Sequence, residues 1–138
     1  MSGSATAPVG FDVRVDHERS ILRLNMWGFW EAPMAKDYDR AVRKALSEIA
    51  PPFAVLADIS NYPPQKPEVQ AVHGGLMAAA KAAGVCRAAN LVSSFLSQNQ
   101  IRRLSEESGL PAFSFYSDAA EATRWLEAGI AEARAAKP

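Results

Sequence analysis

The sequence predicts an α/β fold in the order ββαβαβαβα, with a mostly parallel five-stranded sheet opened by an N-terminal antiparallel hairpin. Three observations carry this. Alternation of apolar and polar residues runs through FDVRV and resumes in ILRLNM, a continuous apolar run FAVLADI follows a Pro-Pro pair, and stretches of helical period lie between the extended segments. Extended and helical segments that take turns along a chain form parallel sheets with right-handed crossovers.

Residues 1–9 are small and polar with one proline, too poor in apolar groups to offset the entropy of ordering, and a disordered tail is expected there. A single domain is expected over residues 10–134. Phe11, Val13 and Val15 alternate with Asp12, Arg14 and Asp16; after the polar turn HERS, Ile21, Leu22, Leu24 and Met26 form the second strand. From Glu31 to Ile49 the period changes, and Met34, Tyr38, Val42, Leu46 and Ile49 share one helix face. Pro33 suits the first turn, where a missing N–H costs little, and Pro51-Pro52 stops the helix.

FAVLADI has the unbroken apolar character of a strand covered on both faces. Pro67 is placed to start the next helix, with Val69, Val72, Leu76, Met77 and Ala80 at helical spacing and Gly84 as a left-handed cap. RAANLVSS reads as the fourth strand. A helix over 95–108 follows, with Leu96, Ile101 and Leu104 as core contacts, and AFSFY supplies the fifth strand. Asp118 and Glu121 have capping-box spacing and open a last helix that buries Ala122, Trp125 and Leu126.

Bulk properties narrow the function by exclusion. The 138 residues have the length of one ordinary domain, and 49% hydrophobic with 22% charged residues is the composition of a globular chain. No apolar run approaches the ~20 residues that span a bilayer, and MSGSATAPVG lacks the basic start and apolar centre of a signal peptide, so a cytoplasmic location is expected. Lysine plus arginine equals aspartate plus glutamate at 15 each, without the basic field that nucleic-acid binding relies on. Cys86 alone forms no internal disulfide, and with His17 and His73 it does not make up a structural zinc site. Neither a dinucleotide fingerprint nor a P-loop occurs; Gly74-Gly75 falls inside a helix, where it marks close packing or loosens the helix. No cofactor or metal is expected.

The hairpin FDVRVDHERSILRLNMWGF, the strand and loop FAVLADISNYPPQKPEV, the strand and helix ANLVSSFLSQNQIRRLSEESG and the ending SFYSDAAEATRWL together resemble the SpoIIAA-like, or STAS/SEC14-like, family over roughly residues 11–127. The resemblance implies a β/α superhelix shared with the anti-sigma-factor antagonists. In those regulators an Asp-Ser-Ser-Gly motif at a helix start after the third strand carries a serine that a partner kinase phosphorylates, at a place where free N–H groups favour the phosphate. Here the connection reads NYPPQKPE, and no serine or threonine lies between Asn61 and Ser93. Asp58 and Ser60 match the Asp-x-Ser that often ends the third strand in the family, but Ser60 precedes the loop instead of opening the helix.

The leading expectation is a non-enzymatic, regulatory STAS-like module that binds a protein partner or a small apolar molecule and lacks the usual phospho-acceptor. Its candidate binding residues are Trp27, Phe29, Trp30, Asp58, Ser60, Tyr62 and His73. Alternation along an extended strand would place Trp27 and Phe29 on one face, and Tyr62 with its prolines would form the opposing wall if the two loops share a sheet end. Two alternatives stand beside it. One is a hydrolase-type enzyme using Ser60, His73 and Asp58, although the strained turn that exposes a hydrolase nucleophile is absent. The other is a homodimeric structural protein whose aromatic run is a subunit interface. Lys36, Arg40, Arg43 and Lys44 read as a solvated basic stripe on the first helix.

Overall fold

The computed structural model describes residues 7–136 except Ser94 and Pro111, without the side chains of residues 95–97, so the expected core contact of Leu96 lies outside the described residues. Nine elements follow one another: β1 (Gly10–Asp16), β2 (Ile21–Trp27), α1 (Ala32–Glu48), β3 (Phe53–Asn61), α2 (Pro67–Ala83), β4 (Val85–Leu91), α3 (Phe95–Ser108), β5 (Phe113–Tyr116) and α4 (Ala119–Ala135). The strands lie in the sheet in sequence order, β1-β2-β3-β4-β5; β1 and β2 pair antiparallel and the other neighbours pair parallel.

That order decides where the helices go. Crossovers that step in one direction across a sheet with one hand fall on the same face. Residues of α1, α2 and α3, among them Tyr38, Val42, Leu46, Val69, Leu76, Ile101 and Leu104, accordingly share one core with Leu22, Met26, Val55, Ala57 and Ile59. The last helix returns on the other face. Its Ala122, Leu126 and Ile130 pack against Ile21, Ala54, Leu56 and Ala89. Within FAVLADI odd-numbered residues therefore face three helices and even-numbered ones face α4, which is why the run is apolar throughout. One helix is too narrow to cover five strands, and the outward side of the hairpin stays polar, carrying Asp12, Arg14, Arg23 and Asn25.

The helix ends follow their local chemistry. Proline stands in the first turn of α1 and of α2, and Gly84 ends α2 at φ 101° with its N–H directed to the Ala80 and Lys81 carbonyls. The Asp118 carboxylate accepts the Ala120 N–H at 2.9 Å and caps α4. β4 begins at Val85 and ends at Leu91, earlier at both ends than the sequence pattern suggests. Trp125 is half-buried where burial was expected: its ring lies at the edge of the α4 core, with the Arg87 guanidinium 4.8 Å over it and donating to the Trp125 carbonyl at 2.7 Å. At Gly74 and Gly75 a Cβ would meet its nearest neighbour at 3.7 Å, an ordinary contact, so neither glycine is needed for close packing.

Candidate functional site at the carboxyl edge of the sheet

Three loops meet beyond the carboxyl ends of β2, β3 and β4, the edge where open α/β sheets place their sites. They are tied to one another. Gly28 N–H donates to the Asn61 carbonyl at 3.1 Å and the Ser93 hydroxyl donates to the Ser60 carbonyl, while Val92 N–H anchors the third loop to the end of β5 through the Tyr116 carbonyl at 3.1 Å.

Gln65 holds the assembly. Its side-chain oxygen accepts the Trp30 N–H at 2.8 Å, and its NH₂ donates to the carbonyls of Gly28 at 3.0 Å and Pro63 at 2.8 Å. Its backbone N–H donates to Gln100 Oε1 at 2.9 Å, and its carbonyl accepts from Gln70 and Gln100. Only 4% of Gln65 is exposed, so these bonds are shielded from competing water. Beside them Lys66 bridges Glu31 and Glu68, joining the first turns of α1 and α2, and the Glu31 hydrogen bond holds its ammonium above the ordinary lysine value.

Beneath this frame lies an aromatic cluster. The Trp30 ring stands 5.0 Å from both Tyr38 and Tyr62, edge to face, and the His73 imidazole lies 5.5 Å from Tyr38 and from Tyr62. Tyr62 Oη is 2.7 Å from His73 Nε2. Burial disfavours charge on each group: it lowers the His73 pKa to about 4 and raises both tyrosines above their ordinary value. At neutral pH the contact joins a neutral imidazole and a neutral phenol.

The seven candidate residues therefore fall into three groups. Trp30, Tyr62 and His73 are core residues, exposed by 0%, 3% and 5%. Asp58 and Ser60 point to the opposite sheet face, where the Asp58 carboxylate accepts the Ser60 N–H at 3.0 Å and borders a shallow polar cleft of about 230 Å³ with Asp12, Arg14, Arg23 and Asn25. Trp27 and Phe29 lie at the rim. Contrary to the alternation argument they do not continue one strand: β2 ends at Trp27, and Gly28 turns the chain at φ 83°. Trp27 Nε1 donates to the Ala7 carbonyl at 3.0 Å, whereas Phe29 stands 49% exposed.

The structure does not assemble Ser60, His73 and Asp58, because the sheet separates His73 from the other two and Tyr62 occupies its Nε2. Among the described residues no group of three or more His, Cys, Asp or Glu is placed to hold a metal ion. Cys86 is half-buried on β4, and desolvation raises its thiol pKa, the opposite of activation. Gln65 and Gln100 were not among the candidates; glutamine has no distinctive pattern, and only a partner 35 positions away gives Gln65 its role.

No family model matches the sequence, and no curated protein matches it. Solved structures do. An uncharacterised protein with a SpoIIAA-like fold from Shewanella loihica superposes with a TM-score of 0.69 at 18% identity, over 91% of this chain and 98% of that one. An anti-sigma factor antagonist from Mycobacterium paratuberculosis superposes with a TM-score of 0.59 at 14% identity, over 87% of this chain and 97% of that one. With the element order, the hairpin and the helices on both faces already in place, these near-complete superpositions identify the fold of this chain as SpoIIAA-like, the STAS-type β/α superhelix.

Proposed function

We propose that the chain is a non-catalytic, regulatory STAS-like interaction module that binds a protein partner at the carboxyl edge of its sheet and works in the cytoplasm. The observation that carries this reading is Phe29. Among the described residues it is the one large apolar side chain that stands exposed, and it sits on a loop whose neighbours Gly28 and Trp30 are both bonded to Gln65. A ring held out on a rigid frame loses little freedom on docking, and aromatic anchors of this kind dominate protein interfaces. Exposed Asn61 and Pro63 border the same edge and add polar and rigid contact area.

The fold shared with an anti-sigma factor antagonist supports a protein as the occupant. No helix among the described residues is long and apolar enough to cross a membrane, which agrees with a partner met in the aqueous phase. The NYPPQKPE connection has no serine or threonine and its one hydroxyl, on Tyr62, is buried, so binding here does not call for phosphate on that loop.

A photo-reactive phenylalanine analogue at position 29, with a control at Lys44 on the exposed side of α1, tests the proposal in cells that express the protein. A cross-link to a different protein at position 29 and not at position 44 supports it. A cross-link only to a second copy of the chain favours the homodimer reading instead, and no cross-link at either position removes the partner site from this edge.

A further inference from the structure

The core between the sheet and helices α1 to α3 is not completely filled. A cavity of about 70 Å³ lies there, and short side chains explain it: Ala57 on β3, Ala88 on β4 and Ala80 on α2 all line the space, where larger residues would meet across it. Met77, Leu110 and Phe113, each half-buried, form its outer side.

The lining carries no aspartate, glutamate, lysine or arginine; its polar members are Tyr38, His73 and Asn90, and His73 is already engaged by Tyr62. Asn90 is 5% exposed and lines the space from β4. Among the described residues its carboxamide has no hydrogen-bond partner, yet none of their fully enclosed side-chain nitrogens and oxygens lacks one. Both statements hold together if the amide faces the open volume. A buried carboxamide with no partner is costly, and an apolar residue of the same size would fill the position without that cost.

We propose that this cavity is a binding site for a small uncharged amphiphile, an alcohol, carbonyl or amide with a short aliphatic body, whose polar head hydrogen-bonds to Asn90. The body lies between Ala57, Ala88, Leu76 and Ile101. A volume of 70 Å³ is about half that of an apolar cavity that accepts benzene, which limits the enclosed part to a few heavy atoms, and any longer chain leaves past Met77. A charged head is excluded, because no charged side chain lines the space and burial keeps His73, the one basic group there, neutral. The site lies on the face of the sheet covered by α1 to α3, apart from Phe29, and does not depend on the partner reading.

Methyl-resolved NMR on the full chain, titrated with 2-propanol, tests the site. The expected result is saturating shifts centred on the methyls of Leu76, Ala88 and Ile101 with a midpoint in the millimolar range. Asn90→Leu keeps the volume and removes the head contact, and weakens binding by about 3- to 10-fold, the worth of one hydrogen bond. Where that variant does not fold, the wild-type chain still decides: propionate and propylammonium, matched in size but charged, produce no saturating shifts. Shifts that rise linearly with every additive mean that the cavity holds only water, and equal binding of the charged compounds, or of 2-propanol by Asn90→Leu, also overturns the proposal.

Discussion

Taking the solution from about pH 7 to about pH 5 charges any histidine that the fold does not shield, and His73 is shielded almost completely at 5% exposure. Its ring neighbours are Trp30, Tyr38 and Tyr62, none of which carries a negative charge to offset the desolvation of an imidazolium, and burial lowers its pKa from 6.5 to about 4. Between those values the unfolded chain binds a proton that the folded chain refuses. The stabilisation is fully present above the unfolded value and is lost as the pH falls through the window toward the folded one. Each tenfold difference in proton affinity is worth ~1.36 kcal/mol, so the total across the window is roughly 3 kcal/mol and the part lost between about pH 7 and about pH 5 is about 2 kcal/mol. Urea unfolding followed by tryptophan fluorescence, run on the wild type and His73→Gln over this range, measures it. The variant keeps a group able to bond Tyr62 but has nothing to protonate there, and the groups common to both proteins cancel in the comparison. The wild type should lose about 2 kcal/mol more than the variant. Parallel pH profiles would refute the reasoning and place an unrecognised acceptor or water channel at the imidazole.

Gln65→Leu leaves the Trp30 N–H and the Gly28 and Pro63 carbonyls without their side-chain partner; a cost of about 2–4 kcal/mol in urea unfolding and faster hydrogen exchange at Trp30 are expected. Gly28→Ala places a Cβ at φ 83°, 2.4 Å from the Pro8 carbonyl oxygen and 2.5 Å from Val9 Cγ1. It should cost at least about 1–2 kcal/mol by the same assay and displace residues 7–9 from Trp27, visible as a change in amide exchange there. Asp118→Ala should cost about 1 kcal/mol through the lost cap of α4, while Asp118→Asn stays within a few tenths.

Much of the architecture is written locally. Pro33, Pro67, Gly84 and Asp118 mark helix ends by rules acting within a few residues, and each acts there as the sequence suggests. Alternation in the hairpin likewise reveals which side of β1 is polar. The site was less legible for a physical reason. FAVLADI is apolar on both faces, so its parity does not say which side holds α2, and the separation of His73 from Asp58 and Ser60 stays hidden until the helices are placed. Gly28 gives no warning that it turns the chain between two aromatic residues that look like one strand. The connection DISNYPPQKPE is stiff through Gln65, a residue without pattern, as much as through its prolines. Asn90 sits in an otherwise ordinary strand, and only the three-dimensional arrangement of Ala57, Ala80 and Ala88 leaves it facing space.

The central functional claim is that a rigid edge presents Phe29 to a protein partner. Its most direct test is the affinity of the partner captured at position 29, purified and titrated by calorimetry against the wild type and Phe29→Ala. The account predicts a loss of at least about tenfold, the range of an aromatic anchor, with unfolding midpoint and circular dichroism unchanged because the side chain is exposed. Equal affinity for both proteins would contradict it.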